Sequence, residues 1–327
     1  MVLINRVKII VLVVGLYSIT NLGFAQDLAQ AREAYNKGVE LVNQDQLESA
    51  MQSFQKVVEI CDILEDEESV ETKMAATDVI PGLQLRIASK YLSEKDFGKG
   101  IPALEKTIEY SNEYMDNATK EKAEGQLTKV YLAYGSSLMK SNKYEEADKY
   151  FDKVLDVDPK NAKVYLIKGV MCKQQEKSEG VKTNLMKSIE VASATNDRRT
   201  ESSARDQGSK YFLKIALDAF NENNYNKCIE NGNIALEFDP KQEDALFLLV
   251  QSYNKQSKWD EAINAGEKAL VSSSDSEKKA GVYFEMANAY KQKGEVTNAC
   301  ENFKNAMVGP YLENAKYQIE HILKCDN

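Results

Sequence analysis

The sequence predicts an all-α protein, an α-solenoid of seven helix-turn-helix repeats closed by a C-terminal helix. Three observations predict it. A spaced set of small, aromatic and aliphatic residues recurs along the chain, an Asp-Pro pair ends two of the repeats, and the last residues keep an amphipathic helical period. The spaced set is clearest in residues 128–161, at Tyr131, Gly135, Leu138, Tyr144, Ala147, Phe151, Val154 and Pro159.

The pattern has a physical reason. A glycine or alanine on each helix lets the two helices of a pair approach closely, and bulky residues then fill the space between successive pairs. One repeat cannot bury its apolar face alone, so several must stack and share a continuous core. The proline at the end of a repeat stops the second helix, because proline cannot continue a helix and favours an extended residue before it.

This arrangement resembles the tetratricopeptide repeat (TPR), a helix-turn-helix unit of about 34 residues. The array is predicted over residues 27–310. The match is strong in the third, fifth, sixth and seventh repeats. The second and fourth repeats are assigned partly from their spacing relative to the neighbouring repeats. The resemblance implies a right-handed superhelix that binds a protein or peptide. The predicted frames start at Ala31, Pro81, Thr128, Ala162, Ser209, Glu243 and Ala280.

Three of these frames are followed by a long surplus segment before the next frame begins. The surplus segments are residues 62–80, 112–127 and 193–208, and the first and third are strongly polar. Runs of this kind are typical of solvated loops or helix extensions, which is the interpretation we prefer. The alternative is an insert that contacts a partner.

Residues 1–25 differ in kind from the rest. Arg6 and Lys8 precede an apolar run from Ile9 to Tyr17, which is followed by a stretch with polar Ser, Thr and Asn residues and then by Gly23-Phe24-Ala25. This pattern predicts a secretory signal peptide that is removed after Ala25, since a membrane span needs about 20 apolar residues. An uncleaved anchor is the alternative. The expected location is periplasmic or secreted, without a membrane span in the mature chain, and the resemblance suggests a bacterial envelope protein.

Charge and composition argue against several classes of function. The net charge is −9, and removal of Arg6 and Lys8 would make it −11, which argues against a nucleic-acid or anionic-membrane partner. The only histidine, His321, has polar neighbours, and no glycine-rich phosphate loop, HExxH or GxSxG motif is present. The sequence therefore predicts no catalytic residue, no cofactor and no metal site.

The five cysteines have neither CxxC nor zinc-type spacing. Three of them, Cys172, Cys228 and Cys300, occupy repeat positions that favour a small buried residue, so core packing is the first interpretation. Cys300 and Cys325 would instead form a disulfide if the last helix folds back in an oxidising compartment. That helix is predicted within residues 311–327, where an amphipathic segment would cap the exposed end of the array.

The resemblance also implies where a partner binds. In this family the first helix of each pair lines the concave face at its second, fifth, ninth, twelfth and thirteenth positions. Apolar side chains there would anchor a partner, and amides would bond its backbone. The alternative is that the aromatics pack between repeats. In the last three repeats the positions give Leu213, Leu217, Phe220, Asn221, Phe247, Gln251, Asn254, Lys255, Phe284, Asn288, Lys291 and Gln292.

The predicted function is therefore a non-catalytic adaptor that binds a protein or peptide element in this groove. Leu and Phe stand where TPR domains that bind chaperone C-termini have Lys, which disfavours that partner class. The alternative is a structural or self-assembling subunit of an envelope or secretion complex, which would act through convex or end surfaces. A carbohydrate-binding role is disfavoured, because Trp259, the only tryptophan, takes a packing position of the repeat.

Overall fold

The structure is a computed structural model that describes residues 26–64 and 66–325, so the predicted signal peptide lies outside the described residues. Within the described ranges the chain is mainly helical and no strand forms, which confirms the all-α prediction. Residues 26–43 are helical and are named α1. The other elements are α2 Leu47–Cys61, α3 Glu67–Ser93, α4 Phe97–Glu113, α5 Asn117–Lys140, α6 Tyr144–Val157, α7 Ala162–Gln174, α8 Ser178–Ala194, α9 Arg198–Asn221, α10 Tyr225–Phe238, α11 Glu243–Lys255, α12 Trp259–Ser272, α13 Ser276–Lys293, α14 Val296–Asn305, a 3₁₀ turn Gly309–Tyr311, α15 Leu312–Tyr317 and a π-helical segment Gln318–Leu323.

The chain divides into two compact units, the first ending at Val157 and the second beginning at Asp158. In the first unit each helix from α2 to α6 packs on its neighbour in sequence, and α3 also touches α5. In the second unit consecutive helices from α7 to α14 pack in the same way, and α7, α9, α11 and α13 also touch in succession. Each unit is thus a stack of helix pairs in which contacts join near neighbours, as in α-solenoid repeats.

The two helices of a pair approach closely because a small residue on one faces a large residue on the other. A Cβ atom added at Gly135 of α5 would lie 2.8 Å from Phe151 Cε1 of α6. The first pair repeats this relation, with 2.9 Å from Gly38 to Phe54 Cζ. Phe54 and Phe151 are almost completely buried, so the glycines give the rings the space they occupy.

Between successive pairs the relation is reversed. Gly232 of α10 and Gly266 of α12 stand on second helices, and the large partner comes from the following first helix. A Cβ at Gly232 would lie 3.0 Å from Leu249 Cδ2, and one at Gly266 would overlap the side chain of Met286. The same close approach therefore also operates between successive pairs.

The surplus segments form helix extensions rather than long loops. Three first helices are lengthened at their N-termini: α3 has 27 residues, α5 has 24 and α9 has 24. Each extension buries few side chains, and in α9 Gly208 makes room for the Phe238 ring of α10. Helix α3 continues through Pro81, which the predicted frame places at the start of a repeat.

Nine of the turns between the described helices share one backbone design. A residue with positive φ follows the helix, and the amide of the next residue donates to the carbonyl five residues earlier, which closes a Schellman-type turn. In one of these turns Asp116 makes two different hydrogen bonds. Its N–H donates to Ser111 O at 2.9 Å, and its carboxylate accepts from Thr119 N at 3.0 Å. One residue therefore ends α4 and caps α5. The positive-φ residues of these turns are Asp45, Lys95, Met115, Asn142, Glu176, Asn196, Asn223, Ser257 and Gly294.

Most of these positions lack the glycine that the conformation favours, and this leads to a stability prediction. Met115 has φ 59° and is 85 % exposed. Because a left-handed residue with a Cβ costs about 1–2 kcal/mol, Met115→Gly should raise the free energy of unfolding by about 1 kcal/mol. The control is Met74→Gly within α3, which should lower it by about 1 kcal/mol. Urea unfolding followed by circular dichroism measures both, and destabilisation by both variants would contradict this account of the turn.

Candidate functional site

The predicted groove residues lie on three neighbouring first helices of the second unit, α9, α11 and α13. Helix α9 contacts α11, and α11 contacts α13, so the three helices lie side by side. Their shared face, called here the first-helix face, is defined by the twelve predicted groove residues on these helices. It combines partly buried aromatic rings with amide and ammonium groups, a mixture that suits an extended polypeptide.

The aromatic residues of this face take part in core packing. The Phe220 ring meets Tyr225 edge-on at 5.6 Å between centroids. Phe284 lies between Phe303 at 5.4 Å and Tyr311 at 5.5 Å. These rings stabilise the array and present only part of their surface outward.

The other apolar members of the face differ in exposure. Leu213 and Phe247 are half-buried against the helical core. Leu217 is 45 % exposed, which makes it the most accessible apolar anchor among the predicted groove residues. The most exposed aliphatic side chain of the face therefore lies on α9, while α11 and α13 expose parts of aromatic rings.

The amides of α11 are organised by one carboxylate on α13. Asn254 Nδ2 donates to the backbone oxygen of Glu285 at 3.0 Å and to its Oε2 at 2.8 Å. Gln251 Nε2 donates to Glu285 Oε1 at 3.4 Å. Glu285 therefore fixes the orientation of both amides. Asn254 Oδ1 is buried and accepts no hydrogen bond from the residues that the structure describes.

Glu285 was missed by sequence reasoning, because it occupies a position just outside the set that the resemblance assigns to the groove. In the sequence, the only indication is that the Glu285 carboxylate follows the two amides of α11 by about one repeat. This indication is weak unless the alignment of α11 with α13 is known. The same carboxylate influences Tyr311. Burial first, and the negative charge of Glu285 second, raise the pKa of Tyr311 above its usual 10, so its hydroxyl remains a donor at neutral pH.

The C-terminal segment covers the end of the second unit. Ala315 and Ile319 are buried and join a cluster with Phe303 of α14. Lys291 of the first-helix face donates to Gln318 Oε1 at 3.0 Å, so this predicted groove residue contributes to the attachment of the cap. This segment occupies the place for which the sequence predicts a capping helix.

A disulfide joins Cys300 of α14 to Cys325, the last described residue, with a Cα–Cα distance of 5.9 Å. Cys61 and Cys228 are buried free thiols and Cys172 is half-buried. Burial raises the pKa of the Cys228 thiol, whereas a hydrogen bond from Ser252 opposes the shift. Cys228 is therefore an unreactive packing residue, which agrees with its predicted role.

The remaining polar members of the face are less constrained. Lys255, Asn221 and Gln292 are exposed and Asn288 is half-buried, and across residues 26–64 and 66–325 their side chains form no hydrogen bond or ion pair. His321 is exposed beside Tyr317 and Glu320. Within those ranges no group of three acidic, cysteine or histidine side chains is arranged to hold a metal ion.

The family comparison identifies the repeat. The model of the tetratricopeptide repeat family matches residues 31–62, 128–161 and 280–307. These three segments are tetratricopeptide repeats, and the chain therefore contains TPR repeats within an all-α fold. The matches begin at the residues predicted to open the first, third and seventh frames; the other four frame starts remain predictions.

Solved structures with similar folds include three TPR proteins. A tetratricopeptide repeat protein from Parabacteroides merdae is 15 % identical, covers 91 % of this chain and 100 % of its own, and has a TM-score of 0.30. YrrB, described as a TPR protein with an unusual peptide-binding site, is 17 % identical over 59 % of this chain and 88 % of its own, with a TM-score of 0.29. The TPR2AB domain of yeast Sti1 in complex with pHSP90 is 13 % identical over 89 % and 95 %, with a TM-score of 0.32.

At these identities and TM-scores the similarities support no inference about what this chain binds. No match is found among curated proteins. Over the residues that the structure describes, none of the helices has the length and apolar character needed to cross a membrane.

The disulfide gives a direct prediction for the cap. A bridge that closes a separation of 25 residues stabilises by about 3 kcal/mol, chiefly by restricting the unfolded chain. Reduction with dithiothreitol should therefore accelerate hydrogen exchange in residues 309–325, measured by mass spectrometry, while exchange in α9 stays unchanged. The Cys300→Ser/Cys325→Ser double variant should exchange fast with or without reductant. Equal protection of the wild type in both conditions would contradict a bridge that holds the cap.

Proposed function

We propose that this protein is a non-catalytic adaptor that binds an extended segment of another protein on the first-helix face. The observation that carries the proposal is the pair of amides on α11, Gln251 and Asn254, which Glu285 of α13 holds in fixed orientations on this face. Amide groups held in one orientation on such a face suit an extended polypeptide, whose backbone donors and acceptors need partners.

The energetics favour such a partner. Because Glu285 already holds the two amides, little side-chain entropy is lost when the partner binds. Leu217 on the neighbouring helix α9 supplies an exposed aliphatic contact, so the face offers both a polar and an apolar anchor.

The proposed location is the bacterial envelope or the exterior of the cell. It is supported by the signal-like pattern of residues 1–25 and by the pairing of Cys300 with Cys325, a bond that persists in oxidising compartments. Cell fractionation followed by N-terminal sequencing of the recovered protein tests the proposal. A chain that begins near Gln26 in an exported fraction would support it, and a cytosolic chain that begins at Met1 would overturn it.

A second candidate function is self-assembly through the C-terminal end. Three apolar side chains of the capping segment are more than one third exposed: Leu312 at 38 %, Tyr317 at 53 % and Ile322 at 50 %. Such residues at the end of a repeat stack could pack against a copy of the same chain. Sedimentation analysis distinguishes this function, because a dimer that Tyr317→Asp converts to a monomer would favour it and a monomeric wild type would exclude it.

The peptide-binding function predicts the effect of a single amide. Dodecapeptides selected from a displayed random library on the wild-type protein should bind Asn254→Ala about tenfold more weakly, equivalent to about 1.4 kcal/mol, in a fluorescence polarisation assay. The matched control is Asn233→Ala on the second helix α10, where an exposed asparagine is removed away from the face. Equal affinity for both variants, or failure to select any peptide, would overturn the proposed function.

A further inference from the structure

A small pocket of about 240 Å³ lies in the second unit beside the first-helix face. It is enclosed by the N-terminal turns of α11 and α13, the end of α12 and the turn that leads into α15. One of its residues, Phe247, also belongs to the first-helix face. Its lining consists of Glu243, Asp244, Phe247, Ala269, Ser273, Glu277, Lys278, Val282, Pro310 and Tyr311.

The size of the pocket limits its occupant. Sites for drug-sized molecules and cofactors measure about 300–1,000 Å³, so this pocket is smaller than that class. Its apolar walls, which include Phe247, Val282 and Tyr311, suit the aliphatic part of one long side chain. The aromatic rings also provide faces that attract a cation.

The charges at the rim of the pocket favour a side chain that carries a positive charge. Three carboxylates and one ammonium group line the pocket, which leaves a net charge of −2. Lys278 Nζ is held by Glu243 Oε2 at 2.9 Å and Asp244 Oδ1 at 3.3 Å. The exposed carboxylate of Glu277 lies against Gly309 and forms no ion pair or hydrogen bond within the described ranges.

Acidic residues in the first turn of a helix also stabilise the helix. That effect explains why Glu243, Asp244 and Glu277 occupy the first turns of α11 and α13. It does not account for the aromatic walls beneath them or for the closure of the pocket by Pro310 and Tyr311. The combination of an apolar interior and an anionic rim is complementary to a side chain with an aliphatic stem and a cationic head.

We infer that this pocket receives a lysine or arginine side chain of the polypeptide bound on the first-helix face. The inference rests on the proposed function, which it extends by naming one recognised residue type. The stem packs against Phe247 and Val282, and the cation lies beside Glu277 and the Tyr311 ring. Lys278 stays engaged with Glu243 and Asp244, so Glu277 is the carboxylate free to pair with the incoming group.

The test uses a probe too short to span the face. Nα-acetyl-lysinamide is titrated into the full chain with labelled methyl groups, and nuclear magnetic resonance follows the signals of Val282 and Ala269. The expected result is a saturable shift for this probe and for acetyl-argininamide, and a response at least fivefold weaker for acetyl-norleucinamide. Glu277→Gln should weaken lysinamide binding at least fivefold, whereas Glu301→Gln, an exposed carboxylate on α14, should leave it unchanged.

Three outcomes would overturn the inference: no shift with lysinamide, an equal response to norleucinamide, or equal binding by Glu277→Gln and the wild type. Failure of the proposed function is distinguishable, because Asn254→Ala should not change lysinamide binding. If library peptides fail while lysinamide still binds through Glu277, the peptide face is wrong and the cation pocket stands. If library peptides bind but show no preference for Lys or Arg, the pocket assignment is wrong and the face stands.

Discussion

The close approach of paired helices is the constraint on which the rest of the structure depends. Gly38, Gly135 and Gly169 each lie against a bulky side chain of the following helix, and a Cβ at Gly169 would come within 2.7 Å of Leu185 Cγ. Burying a large apolar side chain stabilises by about 1.5–3 kcal/mol, but only if the facing residue leaves room for it. The small residue therefore determines how near the helices lie, and every later contact follows from that distance.

Within each repeat of the second unit, this packing gives the two helices different roles. The second helices and the inward sides of the first helices supply the core, while the first helices lie next to one another and form a continuous face. Glu285 can reach Asn254 and Gln251 only because α11 and α13 are in direct contact. Amides oriented in this way are a product of the repeat spacing rather than of a local motif.

The C-terminal segment completes the packing at the end of the second unit. It buries Ala315 and Ile319 against the last pair, is held by the Cys300–Cys325 bridge, and places Tyr311 next to Phe284. The cap is therefore more than a cover for an apolar end. It contributes Pro310 and Tyr311 as walls of the acidic pocket, so the state of the cap and the binding properties of the pocket are expected to change together.

Much of this fold could be predicted from the sequence because its determinants recur at fixed spacing. Gly135 and Phe151 stand 16 residues apart, as Gly38 and Phe54 do, and this repetition indicates a helix pair without any further information. The helix extensions were harder to predict. The extension of α3 buries only a few residues, among them Ser69 and Ala76, so it carries little amphipathic signal. The features that escaped prediction are made by residues from separate segments: the role of Glu285 depends on the register between neighbouring helices, and the pocket near Phe247 depends on three helices and the turn before α15.

The most direct test of the central claim compares two glycines on α5. Gly135 faces Phe151, whereas a Cβ added at the exposed Gly125 would meet nothing within 4 Å. Gly135→Ala should lower the free energy of unfolding by about 1–3 kcal/mol through overpacking, and Gly125→Ala should raise it by about 0.5–1 kcal/mol. In a Phe151→Leu background the Gly135→Ala penalty should shrink. If both alanines stabilise equally, or if the penalty in the Phe151→Leu background equals that in the wild type, close helix approach does not control this fold.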